Sequence, residues 1–159
     1  MSSSPVACEE PEIVIRNWVV MGAVLAGISV GMGAFAAHGL DSYFKTKYPP
    51  TEVKEVAGYT LPASYKYLQD FKTGAEYQMY HAVALIIVGL LTRTRKSPAL
   101  EVAGWSFLIG IFLFSGALYV LTLSGLPWLG AIAPFGGTAF IVGWAALAIG
   151  ATSPKVQEV

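Results

Sequence analysis

Glu76-Tyr77-Gln78-Met79-Tyr80-His81, followed at once by Ala82-Val-Ala-Leu-Ile-Ile-Val-Gly-Leu-Leu91, is the stretch on which the fold turns. Its uninterrupted apolar part, residues 82–91, is about half the ~20 residues that a helix rising ~1.5 Å per residue needs to cross a bilayer. Counting back from Leu91 therefore draws Glu76, Tyr77, Gln78, Tyr80 and His81 into the membrane zone. Ionisable groups at that depth are costly and mark a functional or partner-facing site.

Working outward, three further apolar segments have spanning length, at about Trp18–Ala37, Ala103–Leu123 and Leu129–Ala151, beside the one at about Phe71–Leu91. Helices are expected because each segment must satisfy its own backbone in lipid, and barrel-type alternation is missing. The predicted fold class is all-α: a four-helix transmembrane bundle with a long polar loop between helices one and two. That loop covers residues 38–70 and is broken by Pro49-Pro50 and Gly58. An amphipathic lead-in, with Tyr65, Leu68 and Phe71 at helical spacing, begins after Pro62 and runs into the second span. The expected domains are a disordered tail over residues 1–17, the membrane domain over 18–151 and a short C-terminal tail over 152–159. The acidic N-terminus does not read as a signal peptide.

Composition agrees with a membrane protein. Of 159 residues, 55% are hydrophobic and 13% charged, with mean hydropathy +0.58, against about 25% charge in soluble domains. Ten basic and ten acidic residues give a neutral balance, which speaks against nucleic acid as a partner. Cys8 is the sole cysteine, so neither an intramolecular disulfide nor a cysteine-rich metal site can form. Nucleophile elbow, P-loop, dinucleotide loop and zinc-protease motifs are all missing. No enzymatic activity and no cofactor is expected.

An even number of spans puts both termini and the second loop on one side. That loop packs Arg93, Arg95 and Lys96 against span ends, which predicts cytoplasmic termini. Ala23, Gly27 and Gly31 recur at four-residue spacing with Gly33 beside them, and Gly136-Gly137 follow Pro134 at the start of span four. Small residues let helices approach closely in lipid. Packing inside the bundle is the first reading of these glycines; the second is a homodimer face for those of span one and, for the interrupted start of span four, freed carbonyls lining a small cavity. Trp18, Trp105 and Trp128 suit interface belts, whereas Trp144 lies deeper and needs a packing partner.

Topology gathers the polar residues in the half of the bundle away from the termini: His38, Glu76, Gln78, His81, Ser115, Tyr119 and Thr138. At ~1.5 Å per residue, Glu76 lies roughly 6–8 Å and His81 roughly 13–15 Å below that face. A hydrogen-bonded network tying the helices together is the first reading. A proton-coupled or small-solute pathway through this polar pocket is the second. A metal held by His38 and His81 is the third. It falls short of the usual four ligands, and Glu76 and His81 point about 140° apart on one helix, so no metal site is expected.

At Gly33-Ala-Phe-Ala-Ala-His38-Gly-Leu40, Glu76-Tyr-Gln-Met-Tyr-His81-Ala, Phe114-Ser-Gly-Ala-Leu-Tyr119 and Pro134-Phe-Gly-Gly137 the chain resembles the family called domain of unknown function 423. That family takes in bacterial YgdD-like inner-membrane proteins and the eukaryotic transmembrane protein 256 group. The resemblance covers roughly residues 18–151 and implies a small integral membrane protein, here of a bacterial inner membrane. It carries over no catalytic role. The functional expectation is an accessory or scaffold protein embedded in the lipid bilayer, packing against itself or a larger membrane complex. The alternative is a small-solute or proton-coupled transporter.

Overall fold

The computed structural model describes residues 11–155 of the chain, with side chains from residue 17. In chain order the elements are α1 (Pro11–His38), α2 (Leu40–Lys47), β1 (Val53–Val56), β2 (Tyr59–Pro62), α3 (Ala63–Leu91), α4 (Pro98–Gly110), α5 (Ala117–Ser124) and α6 (Ala133–Thr152). A π-helical turn, Ile111–Gly116, joins α4 to α5, and a 3₁₀ turn, Pro127–Ala131, leads into α6. Four helical stretches are long and apolar enough to cross a membrane: Asn17–His38, Ala63–Leu91, Pro98–Ser124 and Pro127–Thr152. Most of the tail expected over residues 1–17 lies outside the described residues, and α1 is described from Pro11.

The long polar loop expected between helices one and two is replaced by a folded cap. Leu40 and Phe44 recur one helical turn apart and both are buried, so α2 forms with an apolar stripe facing inward. A two-stranded antiparallel hairpin follows, pairing Val53 with Pro62 through Val56 with Tyr59. Its turn uses Ala57 and Gly58 at φ 51° and 82°, the left-handed pair that matches the twist of a tight hairpin. The Pro49-Pro50 pair that reads as a loop signal therefore marks only the corner between α2 and β1.

The cap seals one end of the bundle. The Tyr48 ring packs on Tyr67 at 4.5 Å and its hydroxyl donates to the Thr122 carbonyl at 2.9 Å. Lys47 donates to the Leu123 carbonyl. Tyr48 and Tyr67 join Ala36, Leu40, Phe44, Ala63, Leu68 and Phe71 in a core separate from the one at the other end. That second core is built on Trp18, Leu85, Val88, Leu100, Phe107 and Leu147. At the same end Arg95 donates to the Ser153 carbonyl and Ser153 bonds Ser97, tying the second loop to the end of α6.

Trp18 differs from the interface role expected of it. It is buried, donates to Glu101 at 3.3 Å and meets Trp105 edge-on at 5.4 Å. Gly104 makes room for its ring, since a Cβ there would come within 2.7 Å of it. Trp105 and Trp128 are exposed, as belt residues are.

Candidate functional site

α3 is the hub: it packs along α1 and touches α2, α4, the π turn, α5 and α6. Buried polar residues on it make two separate knots. In the first, Gln78 donates to the Leu25 carbonyl of α1 at 2.8 Å and accepts from the Tyr119 hydroxyl of α5 at 3.0 Å. Ser29 of α1 donates to the Ala75 carbonyl at 2.7 Å, one turn away. A side-chain amide has both donor and acceptor capacity, so Gln78 can join three helices in one chain of bonds.

The second knot centres on His81. Its Nδ1 lies 2.7 Å from the Tyr77 carbonyl, and its Nε2 accepts from the Trp144 indole at 3.2 Å. A carbonyl can only accept and an indole N–H can only donate, so the two partners select the neutral ring with its proton on Nδ1. The imidazole stacks on Phe140 with centroids 3.4 Å apart and planes 5° from parallel. Trp144, the deep tryptophan, thus has its partner: it bridges α6 to α3.

The seven polar residues do not share one pocket. Gln78 and Tyr119 meet in the first knot, while His81 belongs to the second. His38 and Glu76 are exposed on the outside of their helices, and Thr138, also exposed, donates to the Pro134 carbonyl at 3.0 Å and lines one groove with His81. Ser115 lies fully buried in the π turn, and its hydroxyl has no hydrogen-bond partner among the described residues. Among the described residues no three His, Cys, Asp or Glu side chains come together as metal ligands.

Beside His81, α3 and α6 diverge and leave a lateral groove of about 490 Å³. Tyr77, Phe114, Phe140 and Trp144 supply rings to its wall, and Gly137 and Thr138 line it from α6. The groove was not legible from spacing, because its walls come from three separate spans. A partial signal was Tyr77 and His81 on one face with a tryptophan placed too deep for an interface belt.

The glycines divide sharply. A Cβ on Gly22 would lie 2.6 Å from the Ala82 carbonyl oxygen, one on Gly89 2.9 Å from the Val19 nitrogen, and one on Gly136 2.5 Å from the Phe114 nitrogen. These are true helix contacts. A Cβ on Gly27, Gly31, Gly33 or Gly137 would meet nothing within 4 Å, so packing inside the bundle, the first reading of these four, is corrected. The inward seam of α1 runs through Gly22, Ser29 and Ala36, all buried. Its seven-residue spacing was present in the sequence, but the four-residue series Ala23-Gly27-Gly31 on the opposite, exposed face obscured it.

Four spanning helices, a cap and polar knots confined to helix contacts define a small polytopic membrane protein. The family model described as protein of unknown function DUF423 matches residues 32–137. The chain is 38% identical over 138 residues to the UPF0382 membrane protein YwdK of Bacillus subtilis, covering 86% of this chain and 97% of that one. It is 38% identical over 136 residues to a UPF0382 membrane protein of Staphylococcus saprophyticus, with the same coverage. With a UPF0382 membrane protein of Haemophilus influenzae it shares 35% over 141 residues, 88% of this chain and 97% of the relative. The chain belongs to this DUF423 family of membrane proteins. No solved structure gives a significant match.

Proposed function

We propose that this protein is an accessory membrane subunit that works by packing the outer face of α1 against another transmembrane helix, either in a second copy or in a larger complex. The observation that carries the reading is the open face of Gly27 and Gly31, both exposed, where added side chains would meet nothing. In lipid, helices associate through close packing and not through apolar burial, and small residues permit the approach. α1 leans chiefly on α3, so most of its circumference is left for a neighbour. The transport reading draws less support, because Gln78, His81 and Tyr119 already spend their hydrogen bonds inside the bundle.

The test labels Cys8 with donor and acceptor dyes and measures energy transfer in liposomes as lipid is added. Native mass spectrometry of membrane extracts, run in parallel, reports hetero-complexes. The wild type gives transfer above random proximity or a defined complex, and Gly27→Leu with Gly31→Leu abolishes it. Val102→Phe, a bulky change on the exposed face of α4, leaves it intact. A monomer in both assays, or unaltered association of the leucine variant, refutes the reading.

The same proposal sets the protein in the bacterial cell membrane, the inner one where there are two, with both termini in the cytoplasm. Support comes from Arg93, Arg95 and Lys96, crowded into one short loop. A membrane-impermeant maleimide reaching Cys8 in inverted vesicles but not in intact cells is the expected result, and the converse overturns the orientation.

A further inference from the structure

The groove between α3 and α6 is not needed for α1 to associate, and its chemistry points to an occupant of its own. His81 lies ten residues before the end of α3 and Trp144 eight before the end of α6. At ~1.5 Å per residue these are ~15 Å and ~12 Å from the terminal side, close to the middle of a ~30 Å hydrocarbon core. Ile141 on the rim is 72% exposed and Trp144 45%, so the opening faces lipid sideways. Phospholipid headgroups do not reach that depth, and whatever enters comes from the hydrocarbon phase. The volume, about 490 Å³, falls within the ~300–1,000 Å³ of small-molecule sites.

A plain acyl chain needs only an aliphatic trough, and this lining is different. Tyr77 and Phe114 lie 4.7 Å apart at 31° and Trp144 on the same wall is 45% exposed, which offers flat π surfaces to a flat ring, while Phe140 is buried behind them against His81. The Tyr77 hydroxyl makes none of the side-chain hydrogen bonds found among the described residues. Thr138 donates to Pro134 and keeps lone pairs free. Polar groups in hydrocarbon cost free energy until something answers them. We propose that the groove binds a lipid-soluble molecule with a flat, carbonyl-bearing ring on an apolar tail. This is the quinone class, with the ring against Phe114 and Trp144 and a carbonyl accepting from the Tyr77 hydroxyl.

The test titrates full-length protein in phosphatidylcholine nanodiscs with decylubiquinone, following tryptophan quenching and confirming with radiolabelled ligand. Saturable binding is expected. Gly137→Leu fills the groove from a position where a side chain meets nothing, and it should abolish binding. Tyr77→Phe removes only the hydroxyl and should weaken binding about tenfold, the value of one hydrogen bond without a substitute. Ring-less methyl oleate should not compete. Non-saturable quenching, equal affinity in Tyr77→Phe and Gly137→Leu, or full competition by methyl oleate overturns the proposal; the last result would make the groove an acyl-chain site. If Gly137→Leu unfolds on a thermal melt, Tyr77→Phe and the competition decide.

Discussion

Replacing Gly22 by alanine tests whether the α1–α3 seam holds the first span in place. The new Cβ would lie 2.6 Å from the Ala82 carbonyl oxygen, 2.7 Å from Ile86 Cγ1 and 2.9 Å from the Ile86 nitrogen, where non-bonded carbon prefers ~3.5–4.0 Å. Two of those atoms are α3 backbone and cannot swing away, so α1 must move off by close to ~1 Å. Overpacking of this kind costs about 1–3 kcal/mol. Against it stands the gain of about 0.8–1.0 kcal/mol for alanine over glycine within a helix.

Gly27→Ala supplies the control. It carries the same propensity gain five residues along the same helix, but its Cβ meets nothing. The difference between the two variants isolates the clash, and Gly22→Ala should be the less stable by about 1–3 kcal/mol. The assay is reversible unfolding by dodecyl sulfate of single copies in mixed micelles, followed by far-UV circular dichroism and by the fluorescence of buried Trp18. The expected order is Gly27→Ala at or above wild type, with Gly22→Ala below both. Equal stability of the two variants would mean that α1 does not dock through Gly22, and the seam from Gly22 to Ala36 would be the wrong face.

Trp144→Phe leaves His81 Nε2 without its donor. A double-mutant cycle with His81→Phe should give a coupling of about 0.6–1.7 kcal/mol, the range of interhelical hydrogen bonds in lipid, and zero coupling would disprove the bridge. Ser115→Ala removes a buried hydroxyl that has no partner. It should be neutral or stabilising by up to about 1 kcal/mol, and a marked loss of stability would show that the hydroxyl is bonded after all. Tyr48 is held above its ordinary value, up to about 12, chiefly by burial and then by Tyr67, Glu52 and Tyr43. A phenol whose folded value is raised contributes fully below about pH 10, and the contribution is lost as pH climbs through the folded value. Tyr48→Phe should therefore lag wild type by about 0.5–1.5 kcal/mol near neutrality, with the gap closing between pH 10 and about 12 in alkaline melts. A gap constant over that interval would refute the assignment.

How far the sequence could be read follows from which forces act locally. The four spans were legible because hydrocarbon thickness sets their length, a constraint each segment meets alone. The lead-in to α3 was legible in part: Leu68 and Phe71 mark one helical face and both are buried, whereas Tyr65, expected on that face, is exposed and Tyr67 turns inward instead. The cap was not. Its hairpin depends on Ala57 adopting positive φ, which few non-glycine residues do, and on Tyr48 reaching Thr122, 74 positions away. The polar residues can be assigned to spans from the sequence, but membership of a site is a matter of azimuth and neighbour. Gln78 and His81 lie three residues apart on α3, yet one serves α1 and α5 and the other serves α6.

The glycines make the same point about function. In a soluble protein an apolar face with nothing against it is anomalous, because water drives it inward. In lipid that drive is lost, and Gly27 or Gly31 can face outward at no cost in burial. What such a face lacks is van der Waals contact, since acyl chains pack loosely against a surface without side chains. Another helix approaching closely would recover that contact. A glycine turned inward, such as Gly22, is explained by the backbone it meets; the outward Gly27 and Gly31 are what the proposed helix partner would explain. That asymmetry is why the outer face of α1, and not the hydrogen-bonded interior, directs the search for what this protein does.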